Sequence, residues 1–207
     1  MAVSLMPVSR MAYIRFEQMM RNTKNFKRLK DKCRCIYLTK EERSRAEDIA
    51  SSLRRRFSIN YGIRVDSVEK IGVAKFMSSK GGEKLRPTFW DKLKRKTYPV
   101  AGIWYPALGR IEITEDYFDS LPIVVHEIAH ALDSIELNAV RTDAEQELLA
   151  SVATYMFMCE YTGHICERYS TYIGYALKHG ANANDLILLK SDIGFIFNKM
   201  HSLMQAR

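Results

Sequence analysis

The segment at residues 121–132, L-P-I-V-V-H-E-I-A-H-A-L, constrains this chain more than any other. It places two histidines and a glutamate in a run that is otherwise apolar. Apolar residues on both sides predict a buried helix. Residues four apart on a helix lie one above the other, so His126 and His130 present two imidazoles to one point. Buried imidazoles and a buried carboxylate need partners, and a metal ion supplies them. Two nitrogen ligands suit zinc. Glu127, next to His126, projects beside such an ion, where a carboxylate takes a proton from a zinc-bound water and passes it to a leaving amine. Zinc lowers the pKa of that water from about 16 to about 7 and polarises the carbonyl under attack. The H-E-x-x-H pattern therefore predicts zinc-dependent peptide hydrolysis, with Glu127 as the base.

A catalytic zinc ordinarily has three protein ligands and one open position. Asp143, Glu145 and Glu147, on the next predicted helix, are the candidates for the third ligand. Glu145 is accounted for as the partner of Thr142 in a capping box, which turns it back toward the helix start. Glu147 is not so engaged, and Ala150, Ser151 and Thr154 on its stripe are small enough for a close helix approach. Glu147 is therefore the expected ligand. Asp133 and Glu136, one turn beyond His130, read as partners of an imidazole N–H or as ordinary surface acids. His164, His179 and His201 read as caps, surface residues or core-edge residues.

Charge divides the chain. Residues 1–98 carry 25 Lys or Arg against 10 Asp or Glu, whereas residues 99–207 carry 7 against 14. A basic first half offers a face for nucleic acid, and an acidic second half suits a cation. The four cysteines, at 33, 35, 159 and 166, are too few and too irregularly spaced for a disulfide framework, which fits a reduced cytoplasm. No run approaches the roughly 18 apolar residues of a spanning helix, and Arg10 interrupts the first residues before any signal-peptide core is complete.

Two units are expected: a basic N-terminal arm at 1–38 and a domain at 39–207. Thr39 with Glu42 forms a capping box that opens a helix over 39–57, with Ala46, Ile49, Ala50, Leu53 and Phe57 at helical spacing and Arg54, Arg55 and Arg56 at its end. An imperfect strand follows at 63–73, then an exposed loop rich in Gly and Lys at 78–96. Residues 100–105, 106–109 and 110–114 read as strand, turn and strand. The first of these strands, at a sheet edge, would hold an extended peptide by backbone pairing. Ser120 and Pro122 open the histidine helix, and Thr142 with Glu145 opens a helix to about residue 161. Helices at 169–178 and 186–204 complete an α+β chain with a mostly helical C-terminal half.

Three stretches, G-I-W-Y-P-A-L-G-R-I-E-I-T at 102–114, V-V-H-E-I-A-H-A-L-D at 124–133 and E-L-L-A-S-V-A-T-Y-M-F-M-C at 147–159, resemble the metallopeptidase domain of ArdC-type antirestriction proteins. Related domains occur in polyvalent proteins of phages and conjugative plasmids. The segment Y-I-G-Y-A-L at 172–177 is similar to that family's Y-I-x-x-W-L, with Tyr175 in place of Trp. The resemblance covers roughly residues 99–205. It implies a zincin fold, in which a small mixed sheet with an edge strand packs on an active-site helix and a ligand-bearing helix. It also implies zinc held by His126, His130 and Glu147, Glu127 as general base, and Tyr172 as a phenol donor to the tetrahedral oxyanion. The ImmA/IrrE-type regulatory peptidases share the histidine pair and a downstream glutamate. ArdC-type proteins carry an N-terminal single-stranded-DNA-binding domain with Trp-, Pro- and Gly-rich motifs, which residues 1–98 lack. Nucleic-acid binding here rests on charge alone.

Two function classes follow. One is a zinc peptidase acting on a protein or peptide substrate. The other is a DNA-binding antirestriction protein in which the zinc site is structural and Arg54, Arg55 and Arg56 touch nucleic acid.

Overall fold

The structure, a computed structural model, describes residues 39–71, 101–162 and 183–205. The predicted arm at 1–38, the loop at 78–96 and the helix at 169–178 with Tyr172 lie outside the described residues. So do Cys33, Cys35, Cys166, His164 and His179.

In chain order the elements are α1 (Lys40–Tyr61), β1 (Arg64–Val68), β2 (Gly102–Tyr105), β3 (Arg110–Thr114), α2 (Leu121–Leu132), α3 (Asp143–Thr162) and α4 (Ala183–Gln205). This is the expected α+β class. The sheet is small and mixed, ordered β1-β3-β2, with β1 parallel and β2 antiparallel to β3. The core lies where one face of the sheet and the four described helices meet. Ile111 and Ile113 of β3 enter it from the sheet, and Val124, Ile128 and Leu132 enter it from α2.

The capping box of α1 forms as expected: the Glu42 amide donates to Thr39 Oγ1 at 3.2 Å and the Thr39 amide to Glu42 Oε2 at 2.7 Å. Ala46, Ala50, Leu53 and Phe57 are its buried stripe. The helix does not end at Arg54–Arg56. It runs on to Tyr61 and stops at Gly62, whose φ of 66° is left-handed and whose amide donates to the Ser58 carbonyl at 2.9 Å. Two of the three arginines are turned to internal work instead. Arg54 donates to the Phe118 carbonyl, bonds Asp119 at 2.8 Å and lies over the Phe118 ring. Arg56 reaches the Leu203 carbonyl of α4 at 3.0 Å. Arg55 is exposed.

α3 is buried on every side from Leu148 to Met158. A helix apolar all round belongs inside a core, and α3 packs on both α2 and α4. α4 turns Leu189, Ile193, Ile196, Phe197, Met200 and Leu203 inward. Among the described residues no helix is long and apolar enough to cross a membrane.

Candidate metal centre

Ser120 and Pro122 start α2 as predicted, although the Ser120 side chain makes no capping bond. The helix carries His126 and His130 on the side facing α3. Their Nε2 atoms are 3.1 Å apart, and the rings meet edge to face at 87°. Glu147, near the start of α3, sets Oε2 3.4 Å from the His126 Nε2 and Oε1 3.6 Å from the His130 Nε2. One carboxylate thus spans two imidazoles that already touch. A hydrogen bond between the rings would account for the first distance alone. A cation at their centre would suit all three. These residues form a group that could hold a metal ion.

The local sequence explains why Glu147 is the acid that arrives. Glu145 closes the capping box, its carboxylate taking the Thr142 amide at 2.7 Å and the Thr142 hydroxyl at 2.8 Å. The Thr142 backbone N–H, and then its hydroxyl, hold the Glu145 carboxyl below the usual carboxylate range. Glu147 lies two residues on, turned to the other side. Ala150, Ser151 and Thr154 on its stripe are fully buried, as a close approach to α2 requires.

Glu127 is 7% exposed and borders the same cavity, of about 400 Å³, as the three candidate ligands. Its neighbour across the gap is β2. A β-carbon added at Gly102 would lie 2.6 Å from Glu127 Cγ and 2.9 Å from its Oε1. No side chain at position 102 fits beside Glu127 where it stands. Among the described residues β2 is an edge strand, and Gly102 and Trp104 line the cavity wall. On the opposite face of the sheet Tyr105 lies against Glu112. Burial, reinforced by the Glu112 carboxylate, pushes the Tyr105 phenol up to about 12, so it stays neutral at ordinary pH.

Read as imidazole partners or as surface acids, Asp133 and Glu136 form the bonds found here with residues other than the imidazoles. Both lie in a single π-helical turn, Asp133–Leu137, that prolongs α2 and closes at Asn138 with φ 44°. Asp133 is buried and takes Arg141 Nε on both oxygens, at 3.0 and 3.3 Å, while Arg141 Nη2 reaches Asp192 of α4 at 2.6 Å. Burial raises the Asp133 pKa, and Arg141 opposes that rise. Burial would lower the Arg141 pKa, but the two carboxylates outweigh it and hold it above the usual value. Glu136 bonds Tyr61 at 2.7 Å and Lys199 at 2.9 Å. The Lys199 bond, then the Tyr61 bond, lower its pKa.

Of the predicted site residues, His126, Glu127, His130 and Glu147 come together, and Tyr172 lies outside the described residues. His201 is a core-edge residue between Tyr161 and Gln205, stacked on Phe197. Sequence reasoning missed Gly102 and Arg141. Neither carries a local signal, since one acts by lacking a side chain and the other through Asp192, 51 positions away. Compared with known protein families, characterised proteins and solved structures, the chain gives no match, so the site's chemistry is carried by its own geometry.

Proposed function

We propose that the chain is a zinc-dependent metallopeptidase of the zincin type, akin to the ArdC-type domains its sequence resembles. One observation carries the reading: two imidazoles and a carboxylate converge in a cavity that also holds a buried glutamate and, among the described residues, the edge of the sheet. Two ligand atoms on one tetrahedral zinc are about 3.3 Å apart, given bonds of roughly 2.0–2.1 Å. The His126–His130 and His–Glu147 separations of 3.1, 3.4 and 3.6 Å bracket that value. The N, N, O donor set suits zinc better than calcium or magnesium, which prefer oxygen.

Zinc bound there supplies a coordinated water with a pKa of about 7 and polarises the scissile carbonyl. The chain's own residues do the rest. Glu127 takes the proton that leaves the attacking water as the C–O bond forms, and returns it to the nitrogen as the C–N bond breaks. Its place against Gly102 fixes it beside His126. The β2 edge pairs with an extended substrate through backbone hydrogen bonds, which favours a peptide over a compact metabolite. Tyr172 is assigned the oxyanion donor by resemblance.

Glu127→Gln tests the reading. Cleavage of a fluorogenic peptide library by the zinc-loaded chain should fall about 10²- to 10⁴-fold, with zinc content and fold unchanged. Undiminished cleavage in that variant would refute the catalytic assignment.

A further inference from the structure

Arg141 is the one lysine or arginine among the described residues that line the cavity of the metal group. Its side chain is only 8% exposed, and it is held from two sides, through Nε by Asp133 and through Nη2 by Asp192. A guanidinium has five N–H donors in a fixed fork. The bonds described use Nε and Nη2, and Nη1 has no hydrogen bond among the described residues. The result is a donor whose orientation is set before anything binds.

The edge strand β2 lies on the same cavity. In an extended peptide paired with one strand edge, alternate residues turn their N–H and C=O toward that strand and the others turn away. A carbonyl turned away and buried needs a donor on the other side. We propose that Arg141 Nη1 donates to such a substrate backbone carbonyl, making Arg141 a substrate-binding residue of the peptidase. The charge around it selects a neutral acceptor. Asp133 and Asp192 already exceed the single positive charge of Arg141, and Asp143 borders the same cavity. That net negative charge would repel a substrate carboxylate, whereas a peptide carbonyl carries no net charge to be repelled.

The inference rests on the peptidase reading, and its test separates the two. The zinc-loaded full chain is titrated calorimetrically with acetohydroxamate, which reaches only the metal, and with a panel of N-acetyl dipeptide hydroxamates, which add peptide carbonyls. In the parent, the best dipeptide probe binds at least about tenfold tighter than acetohydroxamate. Arg141→Lys keeps a cation between the two aspartates but loses the fork. It should reduce that advantage roughly tenfold, leaving zinc stoichiometry and acetohydroxamate affinity unchanged. If Arg141→Lys does not fold, Arg141→Gln combined with Asp133→Asn makes the same comparison without stranding a buried carboxylate. An advantage undiminished in the variant, or absent from the parent for every probe, overturns the role of Arg141 alone. A parent chain that takes up no zinc overturns the peptidase reading and this inference with it.

Discussion

Glu127 stands where a β-carbon on residue 102 would crowd it, which makes Gly102 a test of how finely the proposed base is placed. Gly102→Ala puts a methyl group 2.6 Å from Glu127 Cγ, so the carboxylate has to move. A displacement near 1 Å costs on the order of 10²-fold in rate. Cleavage should therefore drop by one to two orders of magnitude while zinc content stays at the parent level, and kinetics beside metal analysis would show both. Equal kcat/KM in the two proteins would mean that the Gly102 contact does not position the base. At this scale the sequence was informative where a residue acts by its own chemistry. His126, Glu127 and His130 were legible from spacing, and Glu147 from the capping box that engages Glu145. Gly102 was not, because an absent side chain has meaning only once the opposing strand is in place.

Among the elements, the π-helical turn that prolongs α2 carries Asp133 and Glu136. Within this turn Glu136 meets Lys199 of α4 and Tyr61 of α1, while Asp133 takes Arg141. Glu136 has a lowered pKa in the folded protein. Its ionised form is thus favoured by folding, and its contribution is present above the ordinary carboxylate pKa and lost as pH falls through the lowered value. Denaturant melts should show the parent about 1 kcal/mol more stable than Glu136→Gln at neutral pH. The gap should narrow as pH falls through and below the ordinary carboxylate range. A gap independent of pH would remove the ion pair as its cause. The Gly62 cap gives a second check. Alanine there must adopt a left-handed conformation, and Gly62→Ala should cost about 1 kcal/mol by the same melts. A neutral effect would show that the end of α1 is held by packing instead. Helix starts were readable because a capping box is local, as at Thr39 and Thr142. The end of α1 was misplaced because Arg54 and Arg56 suit a helix terminus yet bond residues 64 and 147 positions away.

For the molecule as a whole, the candidate metal group draws on two helices that the core already presses together. His126 and His130 come from α2 and Glu147 from α3, both largely buried helices. An ion bound by the folded chain and not by the unfolded one adds stability by mass action, about 2.7 kcal/mol at 100 times its dissociation constant. Zinc should raise the thermal midpoint and a chelator should lower it, and a midpoint indifferent to both would speak against a site spanning α2 and α3. The α+β class and the helical C-terminal half could be read from periodicity. The parallel pairing of β1 with β3 could not, since it joins Val65 to Ile111 across 46 positions. The central claim is that His126, His130 and Glu147 grip one divalent ion. Elemental analysis of the purified chain beside His126→Ala tests it most directly: the account predicts one zinc per parent chain and almost none in the variant, and a parent without stoichiometric zinc, or a variant that keeps it, would contradict the account.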